Sequence, residues 1–333
     1  MPAIEAMFYE KMPQQKVRCL LCPHHCLLSE GQPGLCRVRM NTEGSLVSLN
    51  YGEIASLALD PIEKKPLYHF YPGKRIFSAG TFGCNLFCGF CQNHILAHGN
   101  PDTEAIKPEG LVKITRRSNV HEGSIGIAFT YNEPSIWYEY IMDVAPCLQE
   151  ENLKTVLVTN GYIEQAPLEK LLPYIDAMNI DVKAFNEGFY RRNCKGQLEA
   201  VKASVEKAVE ETHVEITTLL IPGENDTAEE IKELARWLAS LNPDIPLHLS
   251  RYHPAYHYEK EATAPAILYR SRDIAREFLN FVYIGNLMTE ENHTYCQICG
   301  GILIKRSVYQ VTNMGLERGK CVHCGSQIDY IIS

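Results

Sequence analysis

Short apolar runs alternate with longer amphipathic segments through the middle of the chain. Seven runs rich in β-branched and aromatic residues are bounded by polar residues or glycine, a pattern that predicts strands. They are RIFSAG (75–80), SIGIAFTY (124–131), KTVLVTN (154–160), AMNIDVKA (177–184), HVEITTLLIP (213–222), IPLHLSRY (245–252) and FVYIGN (281–286). Because helix-like segments lie between most of these runs, the pattern predicts βαβ units and a parallel sheet.

The intervening segments carry apolar residues at helical spacing, as in SIWYEYIMDVAPCLQEEN (135–152), LEAVKASVEKAVEET (198–212) and TAEEIKELARWLASL (227–241). The last begins with Thr227 and has Glu230 three residues later, which predicts a capping box. We count about six strand–helix units, fewer than the eight of a full barrel. The sequence therefore predicts an α/β fold with an open or partial barrel.

Polar motifs lie at the ends of the predicted strands. In α/β sheets of this kind, functional side chains gather where the strands end at their carboxyl edge. Since all of these motifs fall at one edge, they predict a single site. The motifs are GCNLFC (83–88), YNEP (131–134), TNG (159–161), DVK (181–183) and RYHP (251–254).

Length and charge narrow the class of protein. A chain of 333 residues is long enough for one large α/β domain with small appendages. The net charge of −8 disfavours general attraction to nucleic acid or to an anionic membrane. The chain has no apolar stretch of about 18 residues and no secretory signal at its start, so we expect a cytoplasmic protein without membrane spans.

Thirteen cysteines are the unusual feature of the composition. A reducing compartment disfavours disulfides, so clustered thiols there predict metal sites. Eleven of the thirteen fall into three groups. The groups are Cys19, Cys22, Cys26 and Cys36; Cys84, Cys88 and Cys91; and Cys296, Cys299, Cys321 and Cys324.

The middle group has three cysteines where the outer groups have four. The spacing C-x3-C-x2-C suits a [4Fe–4S] cluster, since iron–sulfur clusters take thiolate ligands. A cluster held at three irons leaves the fourth open to a small molecule, as an open coordination position does at a catalytic metal. A zinc site completed by His94, or a redox dithiol, is the alternative.

The stretch CNLFCGFC (84–91) resembles the radical S-adenosylmethionine (SAM) signature CxxxCxΦC, with Phe90 as the aromatic residue. The resemblance implies a partial (β/α)6 radical SAM barrel. It also implies that SAM binds the open iron and is cleaved reductively to a 5′-deoxyadenosyl radical, which abstracts hydrogen from a substrate. The cofactor supplies this chemistry, while the protein orients it and excludes water.

The resemblance also implies contacts to SAM from residues at the strand ends. Phe90 is expected beside the adenine, and Glu133 near the methionine ammonium. NIDVKAF (179–185) resembles the DLK motif of glycyl-radical activating enzymes, which implies SAM contacts from Asp181 and Lys183. The matching strand ends add further candidates to the same set: Thr159, Asn160 and His253.

Each candidate has a plainer interpretation. Glu133 can instead cap a helix that begins at Pro134. Asp181 and Lys183 can form a surface pair, and His253 can be a hydrogen-bonded core residue. The shared position at one strand edge favours the SAM interpretation for the three charged residues.

Nearly the whole chain is similar to the AmmeMemoRadiSam-system radical SAM enzymes, relatives of pyruvate formate-lyase activating enzymes. Besides the motifs above, the similarity includes CLLCPHHCLLSEGQPGLCRVR (19–39), LALDPIEKKPLYHFYPG (57–73) and LLIPGENDT (219–227). It implies MEMO-like and AMMECR-like proteins as partners and a flavodoxin or ferredoxin as electron donor. The alternatives are an activating enzyme for a glycyl-radical enzyme and a non-catalytic iron–sulfur or zinc electron-transfer protein.

The outer cysteine groups predict two further metal sites in regions of their own. The spacing of Cys296, Cys299, Cys321 and Cys324 predicts a zinc-ribbon or rubredoxin-like site for zinc or iron. Cys19, Cys22, Cys26 and Cys36 also saturate one metal centre, with zinc and an auxiliary iron–sulfur cluster equally open. We expect an N-terminal metal-binding region at 1–70, a barrel at 71–287 and a C-terminal four-cysteine domain at 288–333.

Two cysteines stand alone. Cys147 lies in a helical pattern and is interpreted as a packing residue. Cys194 lies in RRNCKG (191–196), expected as a loop at the edge of the site, where basic neighbours would lower the pKa of its thiol. A catalytic role for Cys194 as a thiyl or hydrogen donor is a hypothesis.

Overall fold

A computed structural model of the chain describes residues 4–288, 292–307 and 310–333. The first part forms two small antiparallel sheets, ordered β1–β6–β5 and β2–β3–β4. Glu43 and Gly44 both have positive φ, the backbone that a two-residue hairpin between β5 and β6 requires. The strands are β1 (Ile4–Glu5), β2 (Tyr9–Met12), β3 (Lys16–Cys19), β4 (Leu27–Leu28), β5 (Arg39–Thr42), β6 (Ser45–Ser48) and β7 (Glu53–Ile54).

A mostly parallel sheet of eight strands forms the centre of the molecule, in the order β8–β9–β11–β12–β13–β14–β15–β16. Seven strands are parallel, and β8 pairs antiparallel with β9 at one edge. All seven predicted strand segments contain one of the parallel strands. The strands are β8 (Ser56–Pro61), β9 (Arg75–Gly80), β10 (Glu104–Ala105), β11 (Ser124–Phe129), β12 (Lys154–Thr159), β13 (Ala177–Asp181), β14 (His213–Leu220), β15 (Leu247–Arg251) and β16 (Val282–Gly285).

The sheet is open, because no pairing joins β8 to β16 in the described part of the chain. β10 lies outside this sheet and pairs with β7. Helices connect the parallel strands, as the alternating pattern predicts. They are α1 (His94–His98), α2 (Pro108–Glu122), α3 (Tyr138–Glu150), α4 (Gln165–Leu171), α5 (Glu187–Phe189), α6 (Leu198–Glu211), α7 (Ala228–Leu241) and α8 (Pro265–Ala275). Among the residues described, no helix is both long and apolar enough to cross a membrane.

Only half of the predicted capping box forms at the start of α7. The Thr227 hydroxyl accepts a hydrogen bond from the backbone N–H of Glu230 at 3.3 Å. The Glu230 carboxylate does not return to Thr227; it accepts a hydrogen bond from the backbone N–H of Phe185 at 2.8 Å. This contact ties α7 to the segment that follows β13, where the predicted site residues lie.

The interior of the sheet holds a buried charge, Glu215 on β14. Its carboxylate accepts hydrogen bonds from the backbone N–H groups of Tyr68 (2.9 Å) and His69 (2.7 Å) and contacts His213 (3.0 Å) and His248 (2.7 Å). Burial alone would raise the pKa of Glu215, but the two histidines outweigh it and hold the pKa well below its usual value. The carboxylate thereby fastens the segment after β8 across the sheet.

The C-terminal region packs against the amino ends of the central strands. His69 Nδ1 lies 2.9 Å from the Tyr330 carbonyl, and the Gln297 side chain donates to Asp244 at 2.9 Å, just before β15. The region therefore lies at the end of the sheet opposite the carboxyl edge. Its strands are β17 (Thr294–Tyr295), β18 (Ile302–Ser307), β19 (Gln310–Asn313), β20 (Leu316–Glu317) and β21 (Lys320–Cys321).

Replacement of Glu215 tests whether this buried carboxylate holds the fold. A carboxylate accepts hydrogen bonds on both of its oxygens. In the Glu215→Gln variant, the amide NH2 group replaces one of these oxygens and cannot accept from the donors that face it. We expect a loss of about 3–5 kcal/mol in the free energy of unfolding, measured by chemical denaturation. The control is Glu210→Gln on α6, where the side chain is 70% exposed. Equal stability of the two variants would contradict the role assigned to Glu215.

Candidate functional site

A cavity of about 320 Å³ opens at the carboxyl edge of the central sheet. Nine of the ten residues predicted to bind a cofactor line it. Four of the five strand-end motifs therefore meet in one place, whereas RYHP (251–254) contributes no residue to the lining. The nine residues are Cys84, Cys88, Phe90, Cys91, Glu133, Thr159, Asn160, Asp181 and Lys183.

The loop that carries the three cysteines, residues 83–91, is named here the cysteine loop. The backbone N–H of Phe87 donates to the carbonyl of Cys194 at 2.8 Å, and that of Gly89 to Asn193 at 3.3 Å. On the other side, the backbone N–H of His257 donates to the Gly89 carbonyl at 2.9 Å. The loop is thus fixed by contacts to residues more than 100 positions away in the chain.

Asn85 anchors the cysteine loop from within. Its side chain is fully buried, donates to the carbonyl of Tyr162 at 2.7 Å, and accepts from the Asn160 amide at 2.9 Å. His24 Nε2 lies 2.7 Å from the Asn85 carbonyl. One residue therefore joins the cysteine loop, the end of β12 and the N-terminal cysteine region.

Hydrogen-bond donors surround the first thiol of the loop. The sulfur of Cys84 accepts from the backbone N–H of Leu86 at 3.4 Å and lies 3.7 Å from the Asn160 amide nitrogen. Burial raises the pKa of Cys84 and raises that of Cys91 to about 11. For Cys88, a hydrogen bond with Cys194 and then burial raise the pKa. Metal binding must therefore displace protons from these thiols.

The donor set fits an iron–sulfur cluster with one open iron. Thiolates are the ligands that such clusters prefer, and three of them line the cavity. The zinc alternative completed by His94 is not supported, because His94 does not line the cavity and stacks on Tyr256 with ring centroids 4.8 Å apart. The space in front of the three thiols is bounded by polar side chains suited to a charged small molecule.

Glu133 is a buried carboxylate, only 2% exposed, in the segment that follows β11. It accepts from the backbone N–H of Ser135 (2.8 Å), the Thr159 hydroxyl (2.6 Å) and the backbone N–H of Asn160 (2.8 Å). The capping alternative is confirmed, since Glu133 begins the 3-10 turn Pro134–Trp137. Burial raises the pKa of Glu133 despite these hydrogen bonds. A carboxylate has about four lone-pair sites, so one remains for a ligand in the cavity.

Asp181 and Lys183 form an ion pair of 2.7 Å, with side chains 29% and 17% exposed. The pair lines the cavity rather than the outer surface. Burial alone would lower the pKa of Lys183, but Asp181 and the nearby Cys88 more than offset it and raise the pKa. Lys183 therefore remains a cation at neutral pH.

Several further cavity residues are not identified by the sequence reasoning. Asn179 precedes Asp181 by two positions on β13, and the two-residue period of a strand places both on one face. That signal was available in the motif NIDVK. Asn132 lies in the motif YNEP (131–134), which offered a signal as well. The other contributors are Thr217, Ser250 and Asn286, whose relation to the cavity depends on how distant strands come together.

Three residues lie elsewhere than expected. His253 is exposed and does not line the cavity, so the core-residue interpretation is wrong and its cofactor role stays a prediction. Cys194 is fully buried at the end of a π-helical turn, Tyr190–Cys194, behind the cysteine loop and outside the cavity lining. Cys147 is exposed, so its packing interpretation is also wrong.

The C-terminal cysteines form a compact four-sulfur group. All four sulfur atoms lie within 4.8 Å of one another, with Cys296–Cys324 at 3.8 Å and Cys299–Cys321 at 3.7 Å. Cys296 and Cys299 lie in a turn closed by Gly300, and Cys321 and Cys324 lie in a turn closed by Gly325; both glycines have positive φ. The group has the ligand number and spacing to hold one metal ion.

The comparisons with known proteins agree with this geometry. Residues 79–238 match the family model of the radical SAM superfamily. An uncharacterised protein of Methanocaldococcus jannaschii is 40% identical over 98% of this chain and 99% of its own length. A pyruvate formate-lyase-activating enzyme of Clostridium pasteurianum is 26% identical over 51% of this chain and 72% of its own length.

Solved structures show the same fold at low sequence identity. Streptococcus suis SuiB bound to the precursor peptide SuiA superposes with a TM-score of 0.51 and 18% identity. The match covers 67% of this chain and 51% of SuiB. At this identity the similarity concerns the α/β fold alone.

Removal of one thiol tests the C-terminal metal group. We expect the Cys299→Ala variant to lose one bound metal ion per chain, because three thiolates hold an ion less tightly than four. The thermal stability should fall as well, since the apolar core of this region is small. Elemental analysis and thermal unfolding measure both effects. The exposed Cys147→Ala variant is the control, and unchanged metal content in Cys299→Ala would contradict the assignment.

Proposed function

Because the chain carries a radical SAM domain and belongs to one family with the Methanocaldococcus jannaschii protein, we propose that it cleaves SAM reductively and abstracts hydrogen from a substrate. The observation that carries the proposal is the meeting of three thiols with the buried Glu133 and the Asp181–Lys183 pair in one cavity. Membership of the radical SAM superfamily itself implies an enzyme.

Cys84, Cys88 and Cys91 are the residues that would hold the [4Fe–4S] cluster. When bound, the cluster offers one iron to SAM and supplies the electron that converts it to methionine and a 5′-deoxyadenosyl radical. The protein contributes a fixed thiol arrangement and N–H donors to the Cys84 sulfur, which stabilise its thiolate form. It also contributes walls that limit the access of water.

The charged side chains suit the methionine end of SAM, which bears one carboxylate and one ammonium. Lys183 is a half-buried cation that pairs with Asp181 at 2.7 Å. An ammonium group has three donors, so Lys183 can share them with a carboxylate. Glu133 retains a lone-pair site for an ammonium. Thr159 and Asn160 orient Glu133 through their hydrogen bonds to it. Phe90, packed between Phe189 and Tyr258, provides an apolar wall for the adenine.

Activation of a glycyl-radical enzyme is the second candidate function. It is favoured by similarity to activating enzymes for pyruvate formate-lyase and for isethionate sulfite-lyase, at 26% and 25% identity. The substrate would then be a polypeptide loop that enters the cavity. A non-catalytic electron-transfer protein would leave the polar residues opposite the thiols without a role.

The proposal extends to partners and metals. A ferredoxin or flavodoxin is the expected electron donor, and MEMO-like and AMMECR-like proteins are the expected partners. Zinc is the expected ion at the compact C-terminal group, since closed four-thiolate sites are mostly structural zinc sites. The open sheet supports the proposed partial (β/α)6 barrel.

SAM cleavage is tested on the protein reconstituted anaerobically with iron and sulfide. After reduction with dithionite and addition of SAM, we expect 5′-deoxyadenosine from the wild type and from the Cys147→Ala control. The Cys88→Ala variant should yield none, because the cluster then lacks one of its three ligands. Chromatography measures the product.

Other results of this experiment would favour the alternative functions. A fully loaded wild-type cluster that yields no 5′-deoxyadenosine, and whose electron resonance spectrum is unchanged by SAM, would contradict the proposal. The electron-transfer alternative would then be favoured. A glycine-centred radical on an added partner would instead favour the activating-enzyme alternative.

The position of Cys194 predicts how its replacement affects SAM cleavage and stability. Because its thiol lies behind the cysteine loop and outside the cavity lining, we expect Cys194→Ala to retain 5′-deoxyadenosine formation and to lose some thermal stability. Chromatography and thermal unfolding measure the two effects. Retained SAM cleavage with complete loss of substrate turnover would instead support the thiyl or hydrogen-donor hypothesis.

A further inference from the structure

The N-terminal cysteines converge although they are spread over 18 positions of the chain. Cys19 ends β3, Cys22 and Cys26 lie in the turn before β4, and Cys36 lies shortly before β5. All four line one small enclosed cavity of about 10 Å³, together with Arg39, Gly34 and Ile136 among others. Four thiols around one internal space form a closed set of metal ligands.

The space between these thiols is too wide for a single ion. Around one zinc ion each thiolate lies at about 2.3 Å, so neighbouring sulfurs stand about 3.8 Å apart and leave no room for a water-sized sphere. The C-terminal group has this spacing. Among the residues described, it is also the only group whose ligand atoms all lie within 4.8 Å of one another. The N-terminal thiols instead enclose space that a water-sized sphere can enter.

A buried guanidinium group lies at the same cavity. The Arg39 side chain is 1% exposed, and its Nη1 donates to Glu139 at 2.8 Å while Nη2 donates to the Met7 carbonyl. Among the residues that the structure describes, none accepts a hydrogen bond from its Nε. A buried N–H left unpaired has lost its hydrogen bonds to water without replacement, which is unfavourable. A thiolate or sulfide in the cavity would be its acceptor.

We propose that Cys19, Cys22, Cys26 and Cys36 hold a second [4Fe–4S] cluster, with Arg39 Nε–H as a donor to its sulfur. Four thiolates saturate the four irons, so this cluster binds no substrate and serves electron transfer. A four-iron cluster is larger than one ion, which accounts for the wide separation of the sulfurs.

The second cluster site lies directly behind the cysteine loop. A side chain at Gly83 would begin 2.7 Å from the Cys36 carbonyl, so the two backbones are in contact next to Cys84. His24, between Cys22 and Cys26, lies 2.7 Å from the Asn85 carbonyl. The C-terminal metal group lies at the opposite end of the sheet. Of the two outer cysteine groups, the N-terminal one is therefore placed to exchange electrons with the cysteine loop.

This position defines an electron relay, which rests on the proposed function. A reduced ferredoxin or flavodoxin gives one electron to the second cluster and is itself oxidised by one electron. The second cluster then passes that electron to the cluster of Cys84, Cys88 and Cys91 and returns to its oxidised state. No bond forms or breaks in the relay, and the electron is consumed when SAM is cleaved.

Iron and sulfide analysis of full-length variants tests the second cluster independently of SAM chemistry. In the triple variant Cys84→Ala/Cys88→Ala/Cys91→Ala, we expect about four iron and about four sulfide ions per chain to remain. Their electron resonance spectrum after reduction should not change with SAM. The double variant Cys22→Ala/Cys26→Ala should lose this signal and keep one that responds to SAM. Cys147→Ala should keep both.

The composition of the triple variant decides the outcome even if the double variant fails to fold. No iron in the triple variant, with a zinc content above one ion per chain, would overturn the proposal in favour of a zinc site. Iron that remains in the triple variant while wild type fails to cleave SAM would support the second cluster and contradict the proposed function. The two failures are thus distinguishable.

Rapid mixing tests the relay. After mixing with a reduced ferredoxin, the SAM-responsive cluster of the wild type should become reduced. In the double variant, the same cluster should stay oxidised over the same time. Dithionite, a small reductant, should reduce that cluster in both proteins. Equal rates with ferredoxin in wild type and double variant would overturn the relay.

Discussion

The fixed position of the cysteine loop is the constraint on which the rest of the site depends. Three sulfurs can hold one cluster only if the loop keeps a single shape, yet the loop contains no helix or strand of its own. Its shape comes from Asn85, which is fully buried and bonded to the end of β12, and from backbone bonds to Asn193, Cys194 and His257. The segments that follow β12, β13 and β15 therefore position the thiols.

The two ends of the central sheet have different roles: one borders the cavity and the other makes contacts that stabilise the fold. At the carboxyl edge, strand ends expose polar side chains to a cavity. Hydrogen bonds from Thr159 and Asn160 hold Glu133, and an ion pair with Asp181 holds Lys183. Toward the amino ends, the buried Glu215 fastens the segment after β8, and the C-terminal four-cysteine region packs close by. This separation keeps a site that must admit ligands apart from the contacts that stabilise the fold.

Three cysteine groups of similar composition differ in the space between their sulfurs. The C-terminal group is compact, as four ligands of one ion must be. The other two groups enclose or border open space, one with three thiols at a large cavity and one with four thiols at a small closed one. Spacing in the folded chain, rather than the number of cysteines, is the difference on which the proposed second cluster site rests. The contact of Gly83 with Cys36 then joins the two wide groups.

The sequence by itself determined the seven parallel strands, the three cysteine groups and nine of the residues that line the cavity, because periodicity and covalent spacing are local properties. The tertiary structure alone decided that Asn85 anchors the cysteine loop and that His253 stays outside the cavity. It also decided that the N-terminal thiols lie beside the cysteine loop while the C-terminal thiols lie at the far end of the sheet. These facts depend on contacts between residues far apart in the chain, such as His24 with Asn85 and His69 with Tyr330, and no local pattern specifies such distances.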